Sequence, residues 1–293
     1  MSEQATPLAE NLWMVGHYHY NLYLVEGRDR TALVEVGVSA VVDTVIGQLE
    51  ALGRQPDILV VSHPHADHLT GLAGLRERYP QAEVVLGAGT REFAEHPKAV
   101  ENLADEDRYM HEILAREGHR SERPPLDGPP SMEGARLATD GERLDLGGLT
   151  LEFAELKGHS PGHLGVRIPE REAALVSDAL GFYFPGRGFW PMFFTGYRDY
   201  EDTLARLEGW KPQVLGLGHQ GALRGDDVPQ AFQGARAALH GFMDEVRAHA
   251  GDLDAWTEEK FRQSYKDELV INSERNIRNC VKLLIRRCQQ AMA

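Results

Sequence analysis

The sequence predicts an α+β fold carrying a helical C-terminal extension, on three observations. Short apolar runs of strand type alternate with helix-type periodicities up to residue 225, four of those runs end beside His or Asp, and residues 226–293 show helical patterning alone. Two units follow: 1–225 as a catalytic domain and 226–293 as a helical extension packed on it.

Taken in order, residues 11 to 37 hold strands, with Leu22, Leu24 and Val25 in one and Ala32, Leu33, Val34 and Val36 in the next. The turn from Glu26 to Arg30 separates them, and Gly37 closes the second. Ser39 is placed to cap a helix whose apolar positions Val42, Val45, Ile46, Leu49 and Leu52 follow the 3.6-residue period as far as Gly53. Asp57 to Ser62 is a continuous apolar run, the pattern of a strand buried on both faces. Leu69–Arg78 and residues 99–118 suit helices, and the Pro- and Gly-rich stretch from Ser121 to Gly134 suits a loop. Strands at Leu149–Leu156, Ala173–Val176 and Val214–Leu217 follow, then helices at Ala231–His249, at Thr257–Tyr265 with Thr257 as cap, and at Ser273–Met292.

Between Ser62 and Gly71 the chain packs His63, His65, Asp67 and His68 into six positions. In extended backbone, side chains two apart point the same way, so His63 and His65 can share one ion. Pro64 keeps His63 out of the helical region. Asp67 and His68 fall on the next turn, free to face a second ion. His159, Asp178 and His219 each stand just past a later strand end, where side chains from neighbouring strands converge in one crevice. His163 competes with His159 in one loop; His159, nearer the strand end and next to Gly158, is preferred as ligand. Glu35 suits a supporting carboxylate rather than a ligand. His17 and His19 suit half-buried strand positions, and His96, His111, His119, His240 and His249 suit ordinary surface.

Composition narrows the function. A formal net charge of -14 and a pI near 5.4 present a repulsive field to nucleic acid and to anionic membrane. No stretch of 18 or more apolar residues occurs and the N-terminus lacks a basic segment followed by an apolar run, so a cytoplasmic protein is expected. Cys280 and Cys288 are eight apart in a helix-type stretch, about 12 Å along an axis and too far for a disulfide. The metal site is therefore built from nitrogen and oxygen. The aromatic stretch between Gly181 and Tyr197, including Tyr183, Phe189, Trp190 and Phe193, suits either an apolar substrate wall or a homodimer contact. In the last helix Ile277, Val281, Leu284, Ile285, Cys288 and Met292 form an apolar stripe beside a basic face.

As an ordered set, His63, His65, Asp67, His68, His159, Asp178 and His219 resemble the signature of the metallo-β-lactamase superfamily. The resemblance covers roughly residues 10 to 224 and implies a four-layer αβ/βα sandwich with a dinuclear site at one edge. It implies His63, His65 and His159 on one divalent ion, Asp67, His68 and His219 on the other, and Asp178 between them, with zinc, iron or manganese as the metal. The implied reaction is cleavage of a small-molecule ester or thioester by a metal-bridging hydroxide that Asp67 orients. Motifs around Gly158, Ser177 and Gly218, with the helical tail, are most similar to the quinolone-signal-response thioesterases. Two positions depart from the usual pattern: Glu35 replaces an Asp, and Gln220 replaces a Gly. The alternatives are a mononuclear iron oxygenase of the persulfide dioxygenase kind and a signalling protein with a vestigial site.

Overall fold

The computed structural model describes residues 4–293. Strands Thr6–Ala9 (β1), Leu12–His17 (β2), Tyr20–Glu26 (β3), Thr31–Val34 (β4), Ile58–Val60 (β5), Glu83–Gly87 (β6) and Arg136–Ala138 (β7) form the first sheet in that spatial order. Pairing is antiparallel from β1 to β4 and parallel from β4 to β7. Arg143–Asp145 (β8), Thr150–Glu155 (β9), Leu164–Ile168 (β10) and Ala173–Ser177 (β11) begin the second sheet. A separate hairpin follows, Phe182–Phe184 (β12) and Gly188–Trp190 (β13), before Val214–Leu217 (β14) and Ala222–Arg224 (β15). The second sheet is ordered β15-β14-β11-β10-β9-β8, with β11 and β14 parallel.

Strand alternation sorts the apolar residues into two layers. Tyr23, Val25, Ile58 and Val60 of the first sheet meet Phe153, Val166 and Leu175 of the second in a core between the sheets. Their neighbours Leu22, Leu24, Leu59, Val61, Ala174 and Val176 point the other way, into a cluster shared with the helices. Strands β5 and β11 are thus apolar on both faces, as expected for the run from Asp57 to Ser62. The result is a sandwich of mixed sheets with helices on its outer faces.

The helices are Val42–Ala51 (α1), Ala66–Leu69 (α2), Leu72–Arg78 (α3), Thr90–Ala94 (α4), Pro97–Arg116 (α5), Tyr197–Gly209 (α6), Asp227–Ala248 (α7), Leu253–Ser264 (α8) and Glu274–Met292 (α9). Two expected caps differ. Ser39 opens a 3-10 turn ahead of α1 and accepts no capping bond; its hydroxyl donates instead to the buried Asp107 carboxylate. Asp252 rather than Thr257 caps α8, accepting from the Asp254 and Ala255 amides, while Thr257 donates back to the Leu253 carbonyl inside the helix. The segment 121–134 carries no helix or strand, and both cysteines are free.

The tail does not stand apart. Phe232, Leu239 and Phe242 of α7 and Ile277, Val281 and Leu284 of α9 lie in the same hydrophobic cluster as Leu103 and Met110 of α5 and Phe193 beside the hairpin. Ion pairs and hydrogen bonds fasten it further: Arg275 to Asp105, Ser273 to Glu106, and Arg187 to Asp267 and Glu268.

Candidate metal centre

The side chains just past the ends of β5 in the first sheet and of β9, β11 and β14 in the second meet. His65 has extended backbone (φ −77°, ψ 156°) before α2 begins, and α2 presents Asp67 and His68 on its single turn. Asp178 opens a 3-10 turn immediately after Ser177, whose φ is +51°. Gly218 makes room for the group: a Cβ there would sit 2.6 Å from Asp178 Oδ1 and 2.8 Å from His68 Cε1.

Two sets of donor atoms result. His63 Nε2, His65 Nδ1 and His159 Nε2 stand 3.0–3.2 Å apart, with Asp178 Oδ2 3.7 Å from His63 and 3.6 Å from His159. His68 Nε2 and His219 Nε2 are 3.3 Å apart, and Asp67 Oδ2 lies 3.5 Å and 3.4 Å from them. Asp178 also faces this second set, Oδ2 at 3.5 Å from His68 and Oδ1 at 3.4 Å from His219. Donors around a small divalent ion, bonded at about 2.0–2.1 Å, form tetrahedron edges of about 3.3 Å. The observed spacings match that requirement.

The far side of four of the rings is held by protein partners. His159 Nδ1 donates to the Met192 carbonyl at 2.8 Å, and His219 Nδ1 to the His19 carbonyl at 2.6 Å. His68 Nδ1 donates to Glu35 Oε2 at 3.2 Å, and His63 Nδ1 to Ser62 Oγ at 3.0 Å, whose hydroxyl donates onward to the same Glu35 oxygen at 2.8 Å. With the proton fixed on Nδ1, His63 and His159 turn bare Nε2 lone pairs towards each other, while the Nε2 atoms of His68 and His219 face the Asp67 and Asp178 carboxylates. The residues therefore fit divalent ions.

Electrostatics point the same way. Burial, reinforced by the neighbouring imidazoles, holds His63 well below the usual histidine range, and burial lowers His65 and His159 as well. Burial would raise Asp178, yet His68 and His219 hold it well below the carboxylate range; Asp67, opposed by burial in the same way, is drawn down to about 2. Burial would lower His68 and His219 too, but Asp67, Glu35 and Asp178 raise His68 well above its usual value and Asp178 and Asp67 raise His219, so a cation binding this set would displace protons from it. Both carboxylates are thus anionic at neutral pH. His163 stays outside both sets, its ring 4.8 Å from that of His63.

A cavity of about 570 Å³ opens over the cluster, with His65, Asp67, His159, Asp178 and His219 in its floor. Of the four aromatic residues expected to line it, Trp190 does. The β12–β13 register pairs Phe182 with Trp190 on one face, which meets the cavity, and Tyr183 with Phe189, whose tilted rings pack on each other at 5.0 Å and stay off its lining. Phe193 is fully buried against Tyr197, Tyr200 and Phe242. Phe182, Met192 and Phe194 take the lining role instead. The turn Pro185-Gly186 between alternating aromatics is the sequence signal that reveals this hairpin. The roof comes from α9 and the segment before it, including Asn272, Asn276, Cys280 and Arg287. His96, expected to be ordinary surface, is a rim residue of this cavity. His17 and His119 stand together with ring centroids 5.1 Å apart, and His19 pairs with Glu117 at 3.0 Å behind His219.

Comparison with known proteins agrees with this geometry. Residues 15–219 match the family model described as the metallo-beta-lactamase superfamily. A hydroxyacylglutathione hydrolase of Ruegeria pomeroyi is 29% identical over 169 residues, 57% of this chain and 50% of that one. The hydroxyacylglutathione hydrolase GloC of Haemophilus influenzae is 25% identical over 176 residues, 60% of this chain and 71% of that one. The chain thus spans about half the length of the first relative. Among solved structures, a metallo-beta-lactamase family protein of Thermus thermophilus superposes with a TM-score of 0.65 at 21% identity, covering 96% of this chain and 94% of that one.

Proposed function

From the premise that this chain belongs to the metallo-β-lactamase superfamily, we propose that it is a dinuclear metal-dependent hydrolase of a small ester or thioester. One observation carries the reading: two sets of donor atoms, His63, His65 and His159 in one and Asp67, His68 and His219 in the other, converge side by side, and one carboxylate, Asp178, faces both. His63, His65 and His159 would hold one ion, Asp67, His68 and His219 the other, with Asp178 shared. The all-nitrogen-and-oxygen set suits zinc, iron or manganese. When bound, such a pair supplies a nucleophilic hydroxide near neutral pH and polarises the substrate carbonyl.

The chain's own residues do the rest. Asp67, anionic and at the cavity floor, accepts a hydrogen bond from the attacking oxygen and aims it. Phe182, Trp190, Met192 and Phe194 form an apolar wall that keeps competing water from the acyl group. Once their inward nitrogens held ions, the imidazoles of His63, His65, His68, His159 and His219 would have no proton there to offer the departing group. Substrates whose leaving group is stable as an anion are favoured, a thiolate above an amine. The names of the curated relatives, hydroxyacylglutathione hydrolases, and the motif likeness to quinolone-signal-response thioesterases support the same bond type.

The test is to strip the protein, reload it with zinc, iron or manganese, and assay a broad panel of esters and acyl thioesters alongside metal analysis. Hydrolysis with two ions per chain is expected; no hydrolysis with any metal overturns the reading. A persulfide oxygenase needs one iron only. The fully formed second set of Asp67, His68 and His219 speaks for two ions. Oxygen consumption with a persulfide at one iron per chain would reverse that choice.

A further inference from the structure

The cavity has a floor and a roof of different origin. The floor lies within residues 15–219, the stretch shared with the superfamily, whereas Asn272, Asn276 and Asn279 lie beyond it. Those three asparagines fall on one stripe of the last helix and its lead-in, beside but distinct from the stripe of Ile277, Val281, Leu284 and Ile285 that packs into the core. Asn102 of α5 lines the same cavity.

Their hydrogen bonding is unusual. Asn272 is only 8% exposed, yet its carboxamide has no partner among the described residues; its backbone amide alone is used, donating to the Leu269 carbonyl. The Asn102 carboxamide has none either, and that of Asn276 meets only the Cys280 thiol at 4.0 Å. Apart from that thiol contact, these carboxamides line the cavity with polar groups that no described residue engages, so they are free to pair with what enters it. Of the neighbouring lining, Leu103, Met110, Leu269 and Ile277 are apolar, and the Glu106 carboxylate is taken by the Ser273 amide and hydroxyl. A carboxamide offers one acceptor and two donors without net charge. Its complement is a group with both a carbonyl and an N–H, which a secondary amide provides and an alkyl chain does not.

We propose that the Asn272–Asn102 pair, with Asn276, is a specificity subsite for a secondary amide on the arm of the substrate remote from the scissile bond. The hydrolase reading enters only through the reaction used as one readout. A site built to hydrogen-bond a polar group discriminates against analogues lacking it, because its own buried groups are then left unpaired.

The experiment compares S-acyl N-acetylcysteamine with the S-acyl alkanethiol of equal chain length, and a third thioester with the amide moved to the acyl side, on metal-replete enzyme. An amide-over-alkyl preference in kcat/KM of about tenfold or more is expected, the scale of one or two net hydrogen bonds. Whether the thiol-side or acyl-side amide is preferred identifies which half of the substrate lies under the roof. In Asn272→Leu, and independently in Asn102→Leu, the preference ratio should fall toward one. Two variants on separate elements, each checked for folding by its melting curve, keep a misfolded protein from imitating the result. Calorimetric binding of free N-acetylcysteamine against the plain alkanethiol gives a second readout without turnover. Discrimination in binding with no hydrolysis of any thioester would sink the hydrolase reading and leave the subsite standing. Hydrolysis with no amide preference, or a preference untouched by both variants, overturns the subsite alone.

Discussion

Glu35 sets one carboxylate oxygen behind both donor sets, accepting from His68 directly and from His63 through Ser62. Its φ of +75° aims the side chain there, and its amide donates to the Val60 carbonyl, locking the turn. Removing it frees two imidazoles at once. Glu35→Ala should weaken metal binding roughly 10- to 100-fold, the scale seen when an orienting partner is lost. Competition against a chelator of known affinity measures it, and unchanged affinity would refute the role. A second residue-scale expectation concerns His17, which burial and then His19 and His119 push down to about 4 from 6.5. The unfolded chain takes up a proton near 6.5 that the folded chain refuses until about 4, so this group's contribution to stability is lost as pH falls through that window. His17→Gln should therefore flatten the acid limb of a melting-temperature profile between those values, compared at equal metal loading. Superimposable profiles would refute it.

At the scale of elements, what the sequence makes legible is what chain-local chemistry dictates. The run from Asp57 to Ser62 announces a doubly buried strand, and a His or Asp just past each of four strand ends announces convergence, because strand ends place side chains in common space. Supports made by main-chain carbonyls leave no such mark: nothing in the residues Met192 or His19 says that their carbonyls hold His159 and His219. The same holds for Asn272, which in a linear reading is one more polar residue before a helix. Tyr183 and Phe189 are separable from Phe182 and Trp190 only through the hairpin register, since period two sends neighbours to opposite faces. The start of α9 carries its own test. Ser273 accepts from the Asn276 amide as N-cap and donates its hydroxyl to the buried Glu106, joining the roof to α5. Ser273→Ala should cost about 0.5–2 kcal/mol in a denaturant titration, the usual range for a lost cap. A variant as stable as the parent would show that the cap is not what fixes the roof.

For the whole molecule, the inward-turned cluster makes metal content a stability variable. Ions that bind only the folded chain stabilise it by mass action, about 2.7 kcal/mol at a free concentration one hundred times the dissociation constant. Chelation should lower the melting temperature and readdition of zinc, iron or manganese restore it; an unmoved transition would mean that the donor sets do not bind these ions. Floor and roof also differ in when they come into being. Synthesis proceeds from the N-terminus, so every donor is present once His219 has been made, whereas the roof waits for Asn272 and the helix after it. The ion-holding residues thus precede the roof in the chain, while one hydrophobic cluster joins the two.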